Sequence, residues 1–256
     1  MPLDTLSAGL LAWMAIVILL AGLSQGALGF GFPFIATPLI AMVTDMRTAV
    51  IAVLLPTLAT IAVALFASGS LRATLGRFWM MPVYAAAGSA LGTWLFVSAP
   101  DVPYTLVLAL MTLVYLNLDR VGRANWPVVK RNERRFAPLP GFTAGIFEGT
   151  ANIAAPPLII FYLALGLSPV MLVQALNICF FVGKATQFTV LTSRGGVGMD
   201  EWLATLPFVA IGAAGSLIGV RVRHRIDAQT FRVWVKRALF VIALVLLAQY
   251  AYSRFA

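Results

Sequence analysis

The chain has 256 residues, of which 61% are hydrophobic and only 11% are charged. A soluble domain of this length does not need so much apolar sequence, so the composition indicates a polytopic membrane protein in a lipid bilayer. The formal net charge of +9 could point to nucleic acid. The basic residues, however, stand in short segments between apolar runs, where the positive-inside rule explains them, so nucleic acid is not expected as a partner.

The apolar runs occur in the same order twice. A run of about 20 apolar residues crosses a bilayer, and about 17 is the usual lower end. In the first part of the chain an interrupted segment, 7–44, is followed by runs at 48–67, 79–98 and 103–118. In the second part an interrupted segment, 139–166, is followed by runs at 169–191, 201–220 and 231–252. The sequence therefore predicts two membrane repeats, 1–118 and 139–256, joined by a basic cytoplasmic linker, 119–138.

The two interrupted segments resemble each other in sequence. The segment GLSQGALGFGFPFIATPLIA at 22–41 aligns without a gap with GFTAGIFEGTANIAAPPLII at 141–160. Identical residues occupy six aligned positions, Gly22/Gly141, Gly26/Gly145, Ala36/Ala155, Pro38/Pro157, Leu39/Leu158 and Ile40/Ile159. Each segment begins as a G-x-x-x-G helix, loses helical character and resumes at a proline. Because lipid cannot satisfy free backbone groups, such interruptions are buried in protein or line a cavity, and a repeated pair typically marks a transporter's binding site.

The distribution of basic residues predicts that the two repeats have opposite orientations. The motif GSALG at 88–92 matches GSLIG at 215–219. This match makes the weakly charged loop at 99–103 equivalent to the strongly basic segment at 221–237. Equivalent loops that differ in this way lie on opposite sides of the membrane, because basic loops stay in the cytoplasm.

A second pair of loops gives the same result. The basic loop that carries Arg72 and Arg77 is equivalent to the segment 194–201, where two acidic residues offset one arginine. We therefore expect an all-α polytopic membrane protein of two inverted repeats, each a broken, re-entrant helical hairpin plus three transmembrane helices. With the basic loops in the cytoplasm, both termini are expected outside.

The interruptions have the residues expected of helix starts inside the membrane. Thr37-Pro38 and Ala155-Pro156-Pro157 are the predicted starts, because proline is enriched at the first helical position and the Thr37 hydroxyl can cap a helix. Inversion would bring the two positive N-terminal ends towards a common midplane, where they would attract an anion. The candidate substrate-binding residues at the breaks are Gly29, Phe30, Gly31, Phe32, Thr37, Ala151 and Asn152. The alternative is helix packing, which is the preferred interpretation of the G-x-x-x-G and GSxxG motifs.

Polar residues inside the apolar run at 169–191 add further candidates. Asn177, Lys184 and Gln187 are spaced so that they share one face of a helix. A lysine inside the membrane is a functional-site candidate by default, and it would attract an anion, although it could instead extend its amine to the outer surface. The polar face could also serve hydrogen bonding between helices. Gln25 is the counterpart candidate in the first interrupted segment.

Glu148 is the one carboxylate expected at membrane depth. It is the candidate for proton coupling, because a buried carboxylate can take up a proton during a transport cycle. It could instead pair with Lys184, or it could lie in a solvent-filled vestibule without a role in the cycle. These three possibilities stay open at the level of the sequence.

At these residues the chain resembles the TauE/SafE family of sulfite and organosulfonate exporters. GALGFGFPFIATPLI at 26–40 and GIFEGTANIAAPPLI at 145–159 stand where that family has its duplicated glycine-rich element followed by a proline. The resemblance implies transport of a small sulfur-containing anion, sulfite or a short organosulfonate, across the bacterial inner membrane. Phe30, Phe32, Glu148 and Asn152 depart from the commoner glycine-rich pattern. The two phenylalanines could line a pathway or pack against their surroundings.

The leading hypothesis is a secondary transporter of a small anion, without cofactor or metal. The sequence has no G-x-x-x-x-G-K-[ST] phosphate loop, so energy would come from a gradient or a partner. A passive anion channel is the first alternative. An intramembrane enzyme is a weaker one, because the apolar runs have no histidine, one cysteine and no H-E-x-x-H motif. The direction of transport, the coupling ion and the oligomeric state stay open, and the sequence is compatible with a homodimer.

Overall fold

The computed structural model describes residues 7–117, 126–194, 196–223 and 228–255. Parts of the predicted linker 119–138 and of the basic segment 221–237 therefore lie outside the described residues. Every regular element within them is an α-helix. Five stretches are apolar enough and long enough to cross a membrane: Ala8–Leu28, Met46–Ala67, Met80–Ser98, Pro169–Arg194 and Met199–Val222. The prediction of an all-helical polytopic membrane protein is confirmed.

The two halves have similar orders of helices. The first half comprises α1 (Ala8–Leu28), α2 (Phe32–Ala41), α3 (Met46–Ala67), α4 (Arg72–Phe78), α5 (Met80–Ser98) and α6 (Tyr104–Leu116). The second begins with two short helices, α7 (Pro127–Arg131) and α8 (Glu133–Phe136), and continues with α9 (Pro138–Ala151), α10 (Ala155–Leu165), α11 (Pro169–Arg194), α12 (Met199–Ala204), α13 (Leu206–Val222) and α14 (Ala228–Phe255). Each predicted interruption is thus a real break between two helices, α1 and α2 or α9 and α10.

The first break is made by glycines in the left-handed region. Gly29 has φ 84° and Gly31 has φ 120°, which residues with a Cβ rarely adopt, so the helical path of α1 ends there. The chain becomes helical again at Phe32, with Pro33 in the first turn. The prediction of a helix start at Thr37-Pro38 is therefore wrong, because both residues lie inside α2. Thr37 consequently does not cap a helix.

The second break is made by Asn152, which has φ 61° and ends α9. Helix α10 starts at Ala155 with proline in its first turn, as the sequence predicted. With 14 and 11 residues, α9 and α10 are about 21 and 17 Å long, too short to cross a hydrocarbon core of about 30 Å. The predicted break in this segment is confirmed, and it separates two short helices. Helix α1, with 21 residues, is long enough to cross the membrane alone.

Glycines let the interrupted helix of each half pack against a helix of the other half. In the α1–α13 pair, a Cβ added at Gly26 would collide with the backbone of Ser216. In the α9–α5 pair, a Cβ added at Gly145 would collide with the backbone of Ala85 and Ser89. The predicted packing role of the G-x-x-x-G and GSxxG motifs is therefore confirmed, because backbones can approach this closely only without side chains.

The packing also corrects the alignment of the two interrupted segments. Gly22 and Gly26 contact α13 as Gly145 and Gly149 contact α5. The gap-free alignment, which placed Gly26 opposite Gly145, is therefore displaced by one helical turn. The second helix has three glycines at this spacing, including Gly141, and so fits two registers. In the structural register Gly29 stands opposite Asn152, the two residues that end α1 and α9.

Substitution of a packing glycine will destabilise the protein. The variant Gly26→Ala places a methyl group against the backbone of α13. We expect this to lower the free energy of unfolding by about 1–3 kcal/mol, the usual effect of overpacking. Gly9→Ala, in the same helix and with no atom within 4 Å of the added Cβ, is the matched control and will be neutral or slightly stabilising. Thermal melting of the detergent-solubilised variants checks this, and equal melting temperatures would contradict it.

Candidate functional site

Helix α11 brings the polar residues of the protein's centre together. It packs against α3, α5, α9 and α10. Its side chains Asn177, Lys184 and Gln187 are each 0% exposed. The predicted polar face is therefore buried between helices. The alternative that Lys184 extends to the outer surface is excluded, because its amine ends inside the protein.

The Lys184 amine lies at the break between α9 and α10. It donates hydrogen bonds to Asn152 Oδ1 and to Gln187 Oε1, the latter at 2.7 Å. The Glu148 carboxylate is its counter-ion, with Oε1 3.6 Å from the amine. Gln187 in turn donates to the carbonyl oxygens of Glu148 and Gly149 at 3.2 and 3.3 Å, which helps to satisfy the end of α9. We call Glu148, Asn152, Lys184 and Gln187 the lysine cluster.

Asn152 connects the lysine cluster to the first interrupted segment. It is the one residue other than glycine with a positive φ in the part of the chain that the structure describes, and asparagine tolerates this conformation better than most residues. Its side-chain nitrogen donates to Thr37 Oγ1 at 3.1 Å while its oxygen accepts from Lys184. Thr37, on α2, therefore contributes a hydroxyl to the centre of the protein rather than a cap to a helix.

A second cluster, of neutral groups, lies at the break between α1 and α2. Gln25 donates to Asn177 Oδ1 at 2.9 Å, and its oxygen accepts from the Phe32 backbone N–H at 3.1 Å. Asn177 donates to the Gly29 carbonyl oxygen at 2.6 Å. We call Gln25, Asn177, Gly29 and Phe32 the amide cluster. It joins α11 to the first break as the lysine cluster joins α11 to the second.

The helix N-termini offer fewer free amides than the sequence suggested. The first N–H of α2, at Phe32, is already bonded to Gln25. The first turn of α10 has Pro156 and Pro157, which have no N–H. Positive charge in this region therefore comes mainly from the Lys184 amine and less from unpaired backbone groups.

Glu148 is paired on one side and unpaired on the other. Its side chain is only 2% exposed, so the alternative of a solvent-filled vestibule does not fit, whereas pairing with Lys184 is present. Its second oxygen, Oε2, has no hydrogen-bond partner in the described residues. Gly183 makes room for this oxygen, since a Cβ there would overlap the carboxylate. The sequence analysis missed Gly183, although a glycine next to the only lysine of a span is a usable signal.

The side chains of Phe30, Phe32 and Ala151, together with Gly31, serve packing at the breaks. Phe32 is fully buried and Phe30 is 7% exposed, so neither packs against lipid. The Phe32 ring faces the packing surface of α13 near Gly212. Ala151 is fully buried, and Gly31 lies close to the Ser24 hydroxyl. These residues shape the breaks and contribute no polar side chain to either cluster.

A membrane protein whose two interrupted helical segments meet at a buried charged cluster has the features of a membrane transporter. The chain matches the sulfite exporter TauE/SafE family over residues 14–248, nearly its whole length, and it belongs to that family. The resemblance inferred from the interrupted segments is confirmed, and the family suggests export of sulfite or another sulfur-containing anion. Comparison with curated proteins and with solved structures gave no match.

The ion pair within the lysine cluster makes a prediction about stability. The variant Lys184→Met leaves the Glu148 carboxylate buried without a counter-ion. We expect this to lower the free energy of unfolding by about 3–5 kcal/mol. The double variant Glu148→Gln/Lys184→Met removes both charges and will recover most of that loss. Lys130→Met, at an exposed lysine, is the control. Thermal melting in detergent measures all three, and a double variant as unstable as Lys184→Met would contradict the prediction.

Proposed function

We propose that the protein is a secondary transporter that moves sulfite or a short organosulfonate across the bacterial inner membrane, with Lys184 as the residue that binds the anion. The observation that supports this most directly is a fully buried lysine amine. Glu148 is its charged partner, and its hydrogen-bond acceptors are the neutral side chains of Asn152 and Gln187. Charged groups inside a membrane protein are rare and typically mark the path of a substrate.

The lysine cluster suits a small oxyanion chemically. The amine donates its hydrogen bonds to two neutral side-chain amide oxygens, and an anion would replace these acceptors with oppositely charged oxygens, which bind an ammonium group more strongly. The amide groups of Asn152 and Gln187 have donors as well as acceptors, so rotation would present N–H groups to the same anion. The Thr37 hydroxyl lies beside Asn152 and adds a further donor. Family membership then narrows the anion to one that contains sulfur.

We propose further that the two halves are inverted repeats around this site. The reciprocal packing of α1 on α13 and of α9 on α5 supports a pseudo-twofold relation between residues 1–118 and 139–256. In the same register Gln25 and Glu148 occupy equivalent positions, each bonded or paired to α11. Alternating access would then come from movement of one interrupted segment relative to the other. The cytoplasmic linker and the homodimer stay predictions.

Glu148 is proposed as the proton-coupling residue. Together Glu148 and Lys184 have no net charge, so an anion bound to Lys184 would leave an uncompensated negative charge in a buried site, which is unfavourable. For a singly charged anion, such as an alkyl sulfonate or hydrogen sulfite, uptake of one proton by the unpaired Oε2 would restore neutrality. The anion and the proton would thus occupy the closed site together.

Counterflow in proteoliposomes tests the substrate and the role of Lys184. We expect saturable exchange of radiolabelled sulfite or short alkyl sulfonate in the wild type, and at least about a tenfold loss in the folded double variant Glu148→Gln/Lys184→Met, since a charge-assisted bond contributes roughly 1.5–3 kcal/mol. Lys130→Met will exchange at the wild-type rate. Large unitary currents instead of counterflow would favour the passive channel, and exchange of carboxylates without sulfur anions would refute the proposed substrate.

A separate experiment tests proton coupling. An alkyl sulfonate is the suitable probe, because its own charge does not change across the pH range used. We expect a pH gradient that is acidic outside to drive accumulation of the sulfonate inside wild-type proteoliposomes, because the anion and the proton move together. Glu148→Gln will retain counterflow and lose the pH-driven accumulation, because a neutral amide cannot take up the proton. Glu133→Gln, at a partly exposed glutamate, is the control. Full pH-driven accumulation in Glu148→Gln would refute this role.

A further inference from the structure

A basic cavity lies away from the lysine cluster, between α4 and the segment formed by α7 and α8. It has a volume of about 470 Å³ and is lined by Gly76, Arg77, Arg131, Asn132, Glu133, Arg134 and Arg135. Glu133 is the one acidic residue among these, and Arg77 binds it at 2.7 Å. The charges of the other three arginines are therefore not offset by a carboxylate within the lining. Arginine binds phosphate groups well, because its planar fork of N–H donors matches their oxygens.

An apolar groove begins on the same segment. It has a volume of about 330 Å³ and is lined by Trp126, Val129, Phe136, Leu139, Pro140, Thr143, Pro157, Ile160, Phe161 and Ala164. Phe136 directly follows the arginine pair Arg134 and Arg135, so the groove and the basic cavity share one short stretch of chain. Leu139, 70% exposed, shows that the groove opens to the surface. Trp126 on its rim is typical of the boundary between lipid and water.

We propose that this pair of cavities is a binding site for an anionic phospholipid. Its phosphate binds the arginines of the basic cavity, and one acyl chain lies in the apolar groove between α9 and α10. A soluble anion would use the basic cavity alone, and an uncharged lipid would use the groove alone. The adjacency of the two favours a ligand that has both parts, and basic pockets beside membrane helices recognise lipid headgroups in this way.

The site is distinct from the proposed substrate site. None of the residues that line either cavity belongs to the lysine cluster or to the amide cluster. The groove is formed in part by the outer face of α10, and Lys130 lies next to Gly166 at the end of that helix. A lipid held here would therefore contact the interrupted helix of the second half from the membrane side, and the inference stands whatever anion the protein transports.

Native mass spectrometry of the detergent-solubilised protein with equal amounts of phosphatidylglycerol and phosphatidylcholine tests the proposal. We expect phosphatidylglycerol adducts to predominate in the wild type. In the double variant Arg134→Gln/Arg135→Gln, we expect the affinity of the protein for phosphatidylglycerol to fall by about fivefold for each arginine removed. Arg72→Gln, an exposed arginine at the start of α4 that lines neither cavity, is the matched control and will bind as the wild type does.

Two further measurements separate the lipid from other ligands. Thr143→Trp fills the groove, and we expect it to lower phosphatidylglycerol binding while the arginines stay in place. Inorganic phosphate at the same concentration will not displace the lipid, because it cannot use the groove. Equal binding of the two lipids, or an equal loss in Arg72→Gln, would overturn the proposal. Displacement by inorganic phosphate would overturn it as well and would assign the cavity to a soluble anion.

Discussion

A lysine amine enclosed inside a membrane-spanning helix bundle is the constraint on which the rest of the structure depends. Its charge is tolerated only where a counter-ion and hydrogen-bond acceptors surround it, and the structure supplies these from Glu148, Asn152 and Gln187. Asn152 reaches it because the chain breaks at that residue. The break in turn tolerates burial because α9 lies directly on α5, where glycines allow the two backbones to meet. The buried charge therefore depends on the broken helix, and the broken helix depends on the close packing of α9 on α5.

The closed cluster also explains how a transporter can hold a lysine ready without a substrate. In the structure the amine is satisfied by its neighbours, so it is not an unpaired cation at this depth. Under the proposed function an incoming anion would have to replace those contacts, and only the difference between the two sets of interactions would contribute to binding. Such a difference favours modest affinity, which suits a protein that has to release what it carries.

Much of this organisation was predictable, and the failures have physical causes. Composition and apolar runs predicted the helices, because a run of about twenty apolar residues has the length and polarity of a membrane-spanning helix. The break at Asn152 and the polar face of α11 were predictable from residue type. The start of α2 was not, since Pro33 and Pro38 are equally plausible by sequence and only the conformation of the glycines before Phe32 decides between them. The alignment of the two interrupted segments did not agree with the packing of their glycines, because three equally spaced glycines fit two alignments. Tertiary partners such as Thr37 for Asn152 had no local signal.

Helix α11 is the one described element that holds both clusters, with Asn177 and Lys184 two helical turns apart. In α3, its counterpart by order in the first half, the buried hydroxyls of Thr57 and Thr60 bond only the backbone of their own helix. Both breaks are thus hydrogen-bonded to a single helix, which belongs to the second half of the chain. A shift of this helix would strain the contacts at both breaks, so one interrupted segment can move relative to the other only if its own contacts with α11 break. In the proposed carrier this shared helix would couple the two breaks, and such coupling would oppose opening to both sides at once.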